Sequence, residues 1–383
     1  MIDFAQLRRW PDVEAPELLA HDATDRLLLD TSQEALVAHP GHVAVVGDRY
    51  GALALGVADL VADGVEGTPD GGESSAPMPV RVHQDALSGE LALAANARVA
   101  APGARWSWHA LDASLVAGAR VVLVQLPRGL DALDEIAEVV AAHAHPEVKL
   151  FAGGRIRHMP PAMNEVLGRH FGDVRAGLAR QKSRVLVATA PRASDAGRWP
   201  RTERHGDLVV AAHGAAFAGA TIDIGTRALL AALDAERPAA RDVVALGCGT
   251  GVLAASYALA HPDTVVVATD QSAAAVASAS ATVAANGLAG RVEVRRDDAG
   301  ASLPGGSADL VLLNPPFHVG ATVHAGIAHK LFDAAARLLR PGGELWCVWN
   351  SPLGYRSTLE RVVGPTRQVS RGPKFTVTVS TRR

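Results

Sequence analysis

The sequence predicts an α/β protein built as two tandem copies of one open-sheet fold, the second copy intact and the first degenerate. Three observations predict it. The chain has 383 residues, enough for two domains with their own cores. Apolar runs of strand length alternate with helical stretches through both halves, the pattern of βαβ units around a parallel sheet. Three segments also recur in the same order in the two halves. Val43 to Gly47, followed by Asp48, Arg49, Tyr50 and Gly51, stands where the second half has a glycine-rich turn. Val122-Leu123-Val124-Gln125-Leu126-Pro127 matches Val311-Leu312-Leu313-Asn314-Pro315-Pro316, and Arg184 to Thr189 parallels Lys374 to Val379. Because the first copy lacks the three-glycine turn and the Asn-Pro-Pro, it is expected to be the non-catalytic one. The predicted domains are residues 1–190 and 191–383.

In the second half the strands read 243–246, 264–269, 291–295, 308–313, 343–349 and 374–380. Helices read 225–235, 251–260, 272–286, 325–339 and 356–363 between them. Leu339, Arg340, Pro341, Gly342 and Gly343 form a helix stop and a turn into the next strand. Residues 63–79 are acidic and rich in Gly, Pro and Ser, which reads as a loop inserted in the first half. The polar segment 191–206, with two prolines, is the expected boundary.

Composition narrows the class. Hydrophobic residues make up 48% and charged residues 20%, as in a globular protein that leaves few places for disorder. The longest apolar runs are far short of the ~20 residues that cross a bilayer, so no membrane span is expected. Residues 1–19 mix Arg8 and Arg9 with four acids and hold no apolar stretch, unlike a secretory signal; the expected location is cytoplasmic. Two cysteines, Cys248 and Cys347, support neither a disulfide framework nor a structural zinc site, so no metal is expected. The net charge is −3, but it is unevenly spread: Phe151 to His205 holds eleven Lys/Arg against four Asp/Glu, and Ser351 to Arg383 seven against one. Either these segments dock a polyanion or their arginines are merely solvated.

Val243 to Leu246 runs into Gly247-Cys248-Gly249-Thr250-Gly251, with glycine at every second position of the turn. Such a turn lets backbone approach a ligand where a Cβ would intrude. A dinucleotide fingerprint would need glycine at 252, which is Val252, and this counts against NAD. Nineteen residues after Gly251, at the end of the next strand, Asp270 can accept hydrogen bonds from both hydroxyls of a ribose. The competing reading is a tight turn with Asp270 as a helix cap.

Leu310 to Leu313 ends in Asn314-Pro315-Pro316-Phe317-His318, at the sheet edge where open α/β folds bind ligands. Two prolines stiffen the backbone and remove two N–H donors, leaving a ledge of acceptors. The Asn314 side-chain oxygen and the Pro315 carbonyl can hold both hydrogens of a planar NH2 group while Phe317 stacks on the ring that carries it. Positioning then carries the rate and no strong base is needed. Met159-Pro160-Pro161 lacks the preceding Asn and reads as an ordinary loop.

The Gly247–Gly251 turn, Asp270 and Asn314-Pro315-Pro316-Phe317 resemble the motifs of class I methyltransferases that use S-adenosylmethionine. NPPFH, Thr221-Ile222-Asp223-Ile224-Gly225-Thr226, Lys374-Phe375 and the degenerate first copy resemble bacterial ribosomal RNA guanine-N2 methyltransferases, with residues 346–355 leaning toward the large-subunit branch. The resemblance covers nearly the whole chain. It implies two tandem Rossmann-like methyltransferase domains, the first supporting RNA binding. It further implies methyl transfer to the 2-amino group of a guanine in ribosomal RNA, by an enzyme expected to be a monomer. Asn314, Pro315, Pro316 and Phe317 would be catalytic. Thr226, Gly247, Cys248, Gly249, Gly251, Asp270, Gln271, Asp298 and Asn314 would bind the cofactor, with Asp298 at the adenine. Two departures stand out: Ala245 where the family usually has an acid and Ala218 where it has Ser. Two other functions stay open: a protein glutamine N-methyltransferase, since the Asn-Pro-Pro corner also suits planar amides, and a non-catalytic RNA-binding or assembly protein.

Overall fold

The computed structural model describes residues 2–12, 14–65, 78–193, 197–316 and 321–383. The chain divides into two compact units, residues 1–198 and 199–383.

In chain order the first unit contains α1 (Ala23–Ala38), β1 (Val43–Val46), α2 (Ala52–Val65), β2 (Val80–His83), α3 (Leu87–Ala100), β3 (Trp106–Trp108), α4 (Ala113–Val116), β4 (Val121–Gln125), α5 (Leu130–His143), β5 (Lys149–Arg155), α6 (Ala162–His170), β6 (Phe171–Ala176) and β7 (Ser183–Pro191). Its sheet runs β3-β2-β1-β4-β5-β7-β6. The second unit opens with a hairpin, β8 (Arg201–His205) and β9 (Leu208–Ala212). It continues through α7 (Ile224–Glu236), β10 (Asp242–Leu246), α8 (Val252–Ala260), β11 (Val265–Asp270), α9 (Ala273–Ala285), β12 (Val292–Arg296), β13 (Ala308–Leu313), α10 (Ala321–Leu338), β14 (Leu339–Asn350), α11 (Arg356–Val362), β15 (Thr366–Arg371) and β16 (Phe375–Thr381). Its sheet runs β12-β11-β10-β13-β14-β16-β15.

Counted from the first strand of each seven-stranded sheet, the two orders are identical, so the repeat seen in the sequence is a repeat of topology. The central strands are short runs such as VAVV and DVVAL, apolar because helices cover both faces. Each unit accordingly has two core clusters, one per face. In the second, Val243, Ala245 and Leu312 pack with α7, α8 and α9, whereas Val244, Leu246 and Leu313 pack with α10 and α11.

Several expectations need correction. The sheets are mixed: β7 and β16 each run antiparallel to both neighbours. The edge strand β15 escapes sequence reading because its pattern TRQVSR is largely solvent-exposed and offers no apolar alternation. The third recurrence is out of register by two residues. Ladder pairing places Ala152 opposite Leu186 and Cys347 opposite Thr378, so Leu186 corresponds to Thr378 and not to Thr376. A slip of two keeps every side chain on its own face, which is why the hydrophobic pattern alone did not reveal it.

The division falls after Arg198, inside the polar segment 191–206 expected to hold the boundary. β7 continues to Pro191, and Glu138 on α5 accepts hydrogen bonds from the backbone N–H groups of Gly197 and Arg198, both at 3.0 Å, and from Arg198 Nε at 2.8 Å. Of the predicted loop, residues 63–65 form the last turn of α2, and residues 66–77 lie outside the described residues. The hairpin β8–β9 was also unforeseen, its first strand lying in the segment read as the boundary and its second just beyond it. It is held by side chains spaced four apart on α9 and its C-cap: Ser278 Oγ, Thr282 Oγ1 and Asn286 Oδ1 accept from His213 N, Ala211 N and Val209 N, each at 2.9 Å. Among the described residues no helix is long and apolar enough to cross a membrane, and no group of three His, Cys, Asp or Glu could hold a metal ion.

Candidate active site

The predicted cofactor and substrate motifs meet at the carboxyl edge of the second sheet, where β10, β11 and β13 lie side by side. Gly247, Gly249 and Gly251 all have left-handed φ values, +61°, +53° and +79°, which glycine alone adopts freely. The three are not equivalent. A Cβ on Gly247 or Gly249 would meet open space, whereas one on Gly251 would lie 3.0 Å from the Cα and Cβ of Ala279 on α9. Gly251 is therefore packed closely against α9, whereas the other two border open space. Cys248 between them is buried; burial first, and then the Asp270 charge, push its thiol well above the usual range, so it acts as a packing residue and not a nucleophile.

Asp270 ends β11. Its two carboxylate oxygens accept from Gly249 N and Ser272 N, each at 3.0 Å, which locks the glycine turn to the start of α9. Asp270 therefore braces the turn, as the competing reading expected. Gln271 follows it, with its carbonyl accepting from Arg296 Nε at 3.3 Å. Of the neighbouring acids, Asp297 is buried and spent on Ser302, through N at 3.0 Å and Oγ at 2.7 Å. Asp298 is half-buried and ion-paired with Lys330 on α10 at 2.5 Å. Ala245 is buried inside the core face that packs with α7 to α9, and Ala218 stands at φ +64° in an exposed turn.

The Asn314 corner is the most constrained part of the site. Its amide nitrogen donates to Asp223 Oδ2 at 3.0 Å and to Thr226 Oγ1 at 2.9 Å. Asp223 is the N-cap of α7 and also accepts from Gly225 N at 2.7 Å, Thr226 N at 3.3 Å and Thr226 Oγ1 at 2.5 Å. A carboxylate only accepts, and the Thr226 hydrogen is committed to it, so the network fixes which end of the Asn314 amide is nitrogen. The amide oxygen, Asn314 Oδ1, is left buried with no hydrogen-bond partner among the described residues. An orphaned buried acceptor is costly in a finished fold and marks a place where a donor is meant to arrive. Pro315 is buried and Pro316 exposed. Phe317 and His318 lie outside the described residues.

Thr226, expected among the cofactor contacts, braces Asn314 through its hydroxyl. Sequence reading overlooked Asp223 as a site residue, although an Asp directly before a helical pattern is a recognisable cap signal. It also overlooked Lys330, and Phe375 on β16. A Cβ on Gly225 would stand 3.3 Å from the Phe375 ring and 3.5 Å from Asn314 Nδ2, so that glycine permits the close approach.

The first unit keeps the frame of this site but ties its turn and strand ends to one another. Gly47 and Gly51 retain left-handed φ values of +79° and +97°. Asp48, in the place of Cys248, folds its carboxylate back onto Gly51 N at 3.0 Å and Ala54 N at 2.7 Å. Ladder register puts Gln84 where the second unit has Asp270, and its amide donates to the Asp48 carbonyl at 2.5 Å. Gln125 replaces Asn314 and donates to Asp25 on α1.

Comparison with known proteins agrees with this division. Residues 2–192 match the RLMG N-terminal domain and residues 207–379 the methyltransferase small domain. A relative from Streptomyces coelicolor, ribosomal RNA large subunit methyltransferase G, is 35% identical, with 97% of this chain and 96% of that protein covered. Its namesake from Pseudomonas paraeruginosa is 34% identical over 98% of this chain and 97% of its own length. Among solved structures, a T. thermophilus 16S rRNA N2-guanine methyltransferase, RsmC, in complex with AdoMet and guanosine, matches with a TM-score of 0.67 and 21% identity, covering 92% of both chains. At that identity the likeness speaks for the fold.

Proposed function

Because this chain belongs to the ribosomal RNA large subunit methyltransferase G family, we propose that it transfers a methyl group from S-adenosylmethionine to the exocyclic 2-amino group of a guanine in ribosomal RNA. The observation that carries the chemistry is the orphaned Asn314 Oδ1 beside an amide nitrogen pinned by Asp223 and Thr226.

The residues fit the cofactor. Gly247 and Gly249 border open space, and the Asp270 carboxylate, an acceptor of the kind a ribose needs, stands at the strand end beside them. Cys248, Gly251, Gln271 and Asp298 complete the set that would hold it, Asp298 toward the adenine. When bound, S-adenosylmethionine supplies a methyl carbon made electrophilic by its sulfonium.

Asn314 Oδ1 and the Pro315 carbonyl accept the two hydrogens of the guanine amine, which directs its lone pair away from the protein wall. As the nitrogen becomes cationic its spare proton grows acidic, and it already rests on an acceptor. Electrostatic preorganisation and orientation supply the rate. Phe317 stacks on the base, which must be unpaired or flipped out, because a Watson–Crick pair engages the 2-amino group. The first unit, residues 1–198, docks the RNA.

The test is incubation of the protein with labelled S-adenosylmethionine and either free ribosomal RNA or isolated subunits, followed by digestion to nucleosides. N2-methylguanosine is expected. N6-methyladenosine would overturn the base, label in protein would favour the glutamine reading, and cofactor binding without any transfer would favour the non-catalytic one.

A further inference from the structure

The degenerate unit contains a cavity of about 700 Å³ at the place that corresponds to the Asn314 corner of the second unit. Gln125, the counterpart of Asn314, lies in its wall with Leu126 and Pro127, which follow β4, and with Gly153 and Gly154 of β5. Duplication has therefore left a substrate-side pocket standing after the cofactor side was filled by Asp48 and Gln84.

The lining has two chemistries. Leu126, Pro127, Ile156 and Met159 give it an apolar portion. Five cationic side chains, Arg49, Arg128, Arg155, Arg157 and Lys182, give it a basic one, against a single acid, Asp22. Asp22 is spoken for by Arg155 Nε at 3.1 Å. Arg49, Arg128, Arg157 and Lys182 have no acidic partner among the described residues, and Arg157 contacts only the ring of His158, at 3.0 Å. His158 feels the concentration of charge: desolvation, and then Arg157, Arg128 and Arg49, hold its ring below the ordinary imidazole range. Two of these cations sit at positions with a history. Arg49 stands where the second unit has Gly249, and Lys182 is held at φ +62°, a left-handed value unfavourable for a side-chain-bearing residue. By contrast, other arginines of the basic segment are engaged within the unit, Arg175 with Asp173 and Arg180 with Asp30.

We propose that this cavity binds an unpaired, phosphate-bearing nucleotide of the substrate RNA, the base against the apolar portion and the phosphate on Arg49, Arg128 and Lys182. The inference rests on the reading of the protein as an RNA methyltransferase and deepens it: the docking unit takes a flipped or single-stranded nucleotide in the relic of its own substrate pocket. Four clustered cations without acids are a standing electrostatic cost that a phosphodiester relieves, and the apolar wall beside them offers a surface for an unstacked base.

The experiment measures binding of a labelled single-stranded oligoribonucleotide to the full chain across a salt titration, for the wild type, Arg49→Ser/Arg128→Ser and Arg128→Lys. The double variant should bind about tenfold more weakly, with the slope of log K against log salt reduced by about 0.7 for each phosphate that no longer meets a cation. Arg128→Lys should stay near wild type, and S-adenosylmethionine affinity should be unchanged in both. Nucleoside monophosphates should compete where the parent nucleosides do not. Unchanged RNA affinity and slope in the double variant, in a protein that still methylates RNA, would overturn this inference and leave the proposed function standing. Competition by inorganic phosphate as strong as by nucleoside monophosphates would also overturn it. A wild type that neither binds nor methylates RNA would overturn the function, and the inference with it.

Discussion

The amide nitrogen of Asn314 lies 3.0 Å from Oδ2 of Asp223, a residue 91 positions earlier in the chain. Together with the Thr226 hydroxyl, whose hydrogen is spent on the same carboxylate, this hydrogen bond sets the polarity of the corner. Asp223 caps α7 and Asn314 ends β13, so the start of a helix decides which atom of a strand-end side chain is offered to substrate. Asp223→Asn keeps a capping oxygen but removes the obligatory acceptor. The Asn314 amide is then free to turn its oxygen inward. Transfer should fall by about 10–100-fold, the equivalent of a charge-assisted hydrogen bond of about 1.5–3 kcal/mol, while cofactor affinity measured by calorimetry stays put. Asn314→Ala should abolish transfer with the same indifference in cofactor binding. Near-normal turnover in either variant would remove the corner from the mechanism.

Asp270→Ala should act on the other half of the site. It removes the proposed ribose acceptor and also frees Gly249 and Ser272 from their shared anchor. Cofactor binding should weaken by about 1.5–3 kcal/mol, the range for hydrogen bonds to a charged group. Calorimetry of wild type and variant gives the comparison directly, and equal affinities would exclude Asp270 from the cofactor site.

Two glycines of the same turn should fail in different ways. Gly251→Ala places a methyl 3.0 Å from Ala279 at φ +79°, so both a left-handed cost and overpacking apply, together about 2–5 kcal/mol. The second unit should melt several degrees lower in calorimetric scans. Gly247→Ala meets no neighbour within 4 Å, so only the conformational cost applies to the fold and the larger loss should appear in cofactor affinity. If Gly251→Ala melts with the wild type, the close packing of α8 on α9 is not what that glycine protects.

The first unit should lose stability as pH rises. Burial, and then the charges of Asp48 and Asp22, push the Asp25 carboxyl up to about 7, and burial pushes Asp48 up to about 6, from ordinary values of 3.8. Between about pH 4 and these values the unfolded chain has released protons that the folded chain still holds, so stability declines across that window and the decline is complete above about pH 7. Asp25→Asn, with the Gln125 amide turned to match, should flatten the profile and stabilise the unit by a few kcal/mol at pH 8 while changing little at pH 4. Denaturant titrations at the two pH values decide it. A variant no more stable than wild type at pH 8 would show that Asp25 carries no such penalty.

What the sequence determined by itself is set by short-range physics. Apolar runs bounded by glycine and proline placed β10, β11, β13 and β14 to within a few residues, because a strand covered by helices on both faces must be apolar throughout. The Gly247–Gly251 turn, Asp270 and Asn314 were legible for a related reason: backbone conformation, strand ends and amide chemistry are local properties. Tertiary structure decided what depends on partners far away in the chain. It paired Lys330 with Asp298, made Asp223 and Thr226 the keepers of Asn314, and left Asn314 Oδ1 alone in a buried place. It also turned β7 and β16 antiparallel and brought Arg49, Arg128 and Lys182 around one cavity. A linear pattern records which residues carry hydrogen-bond capacity and charge; only the fold determines which of them are satisfied and which are left waiting for a ligand.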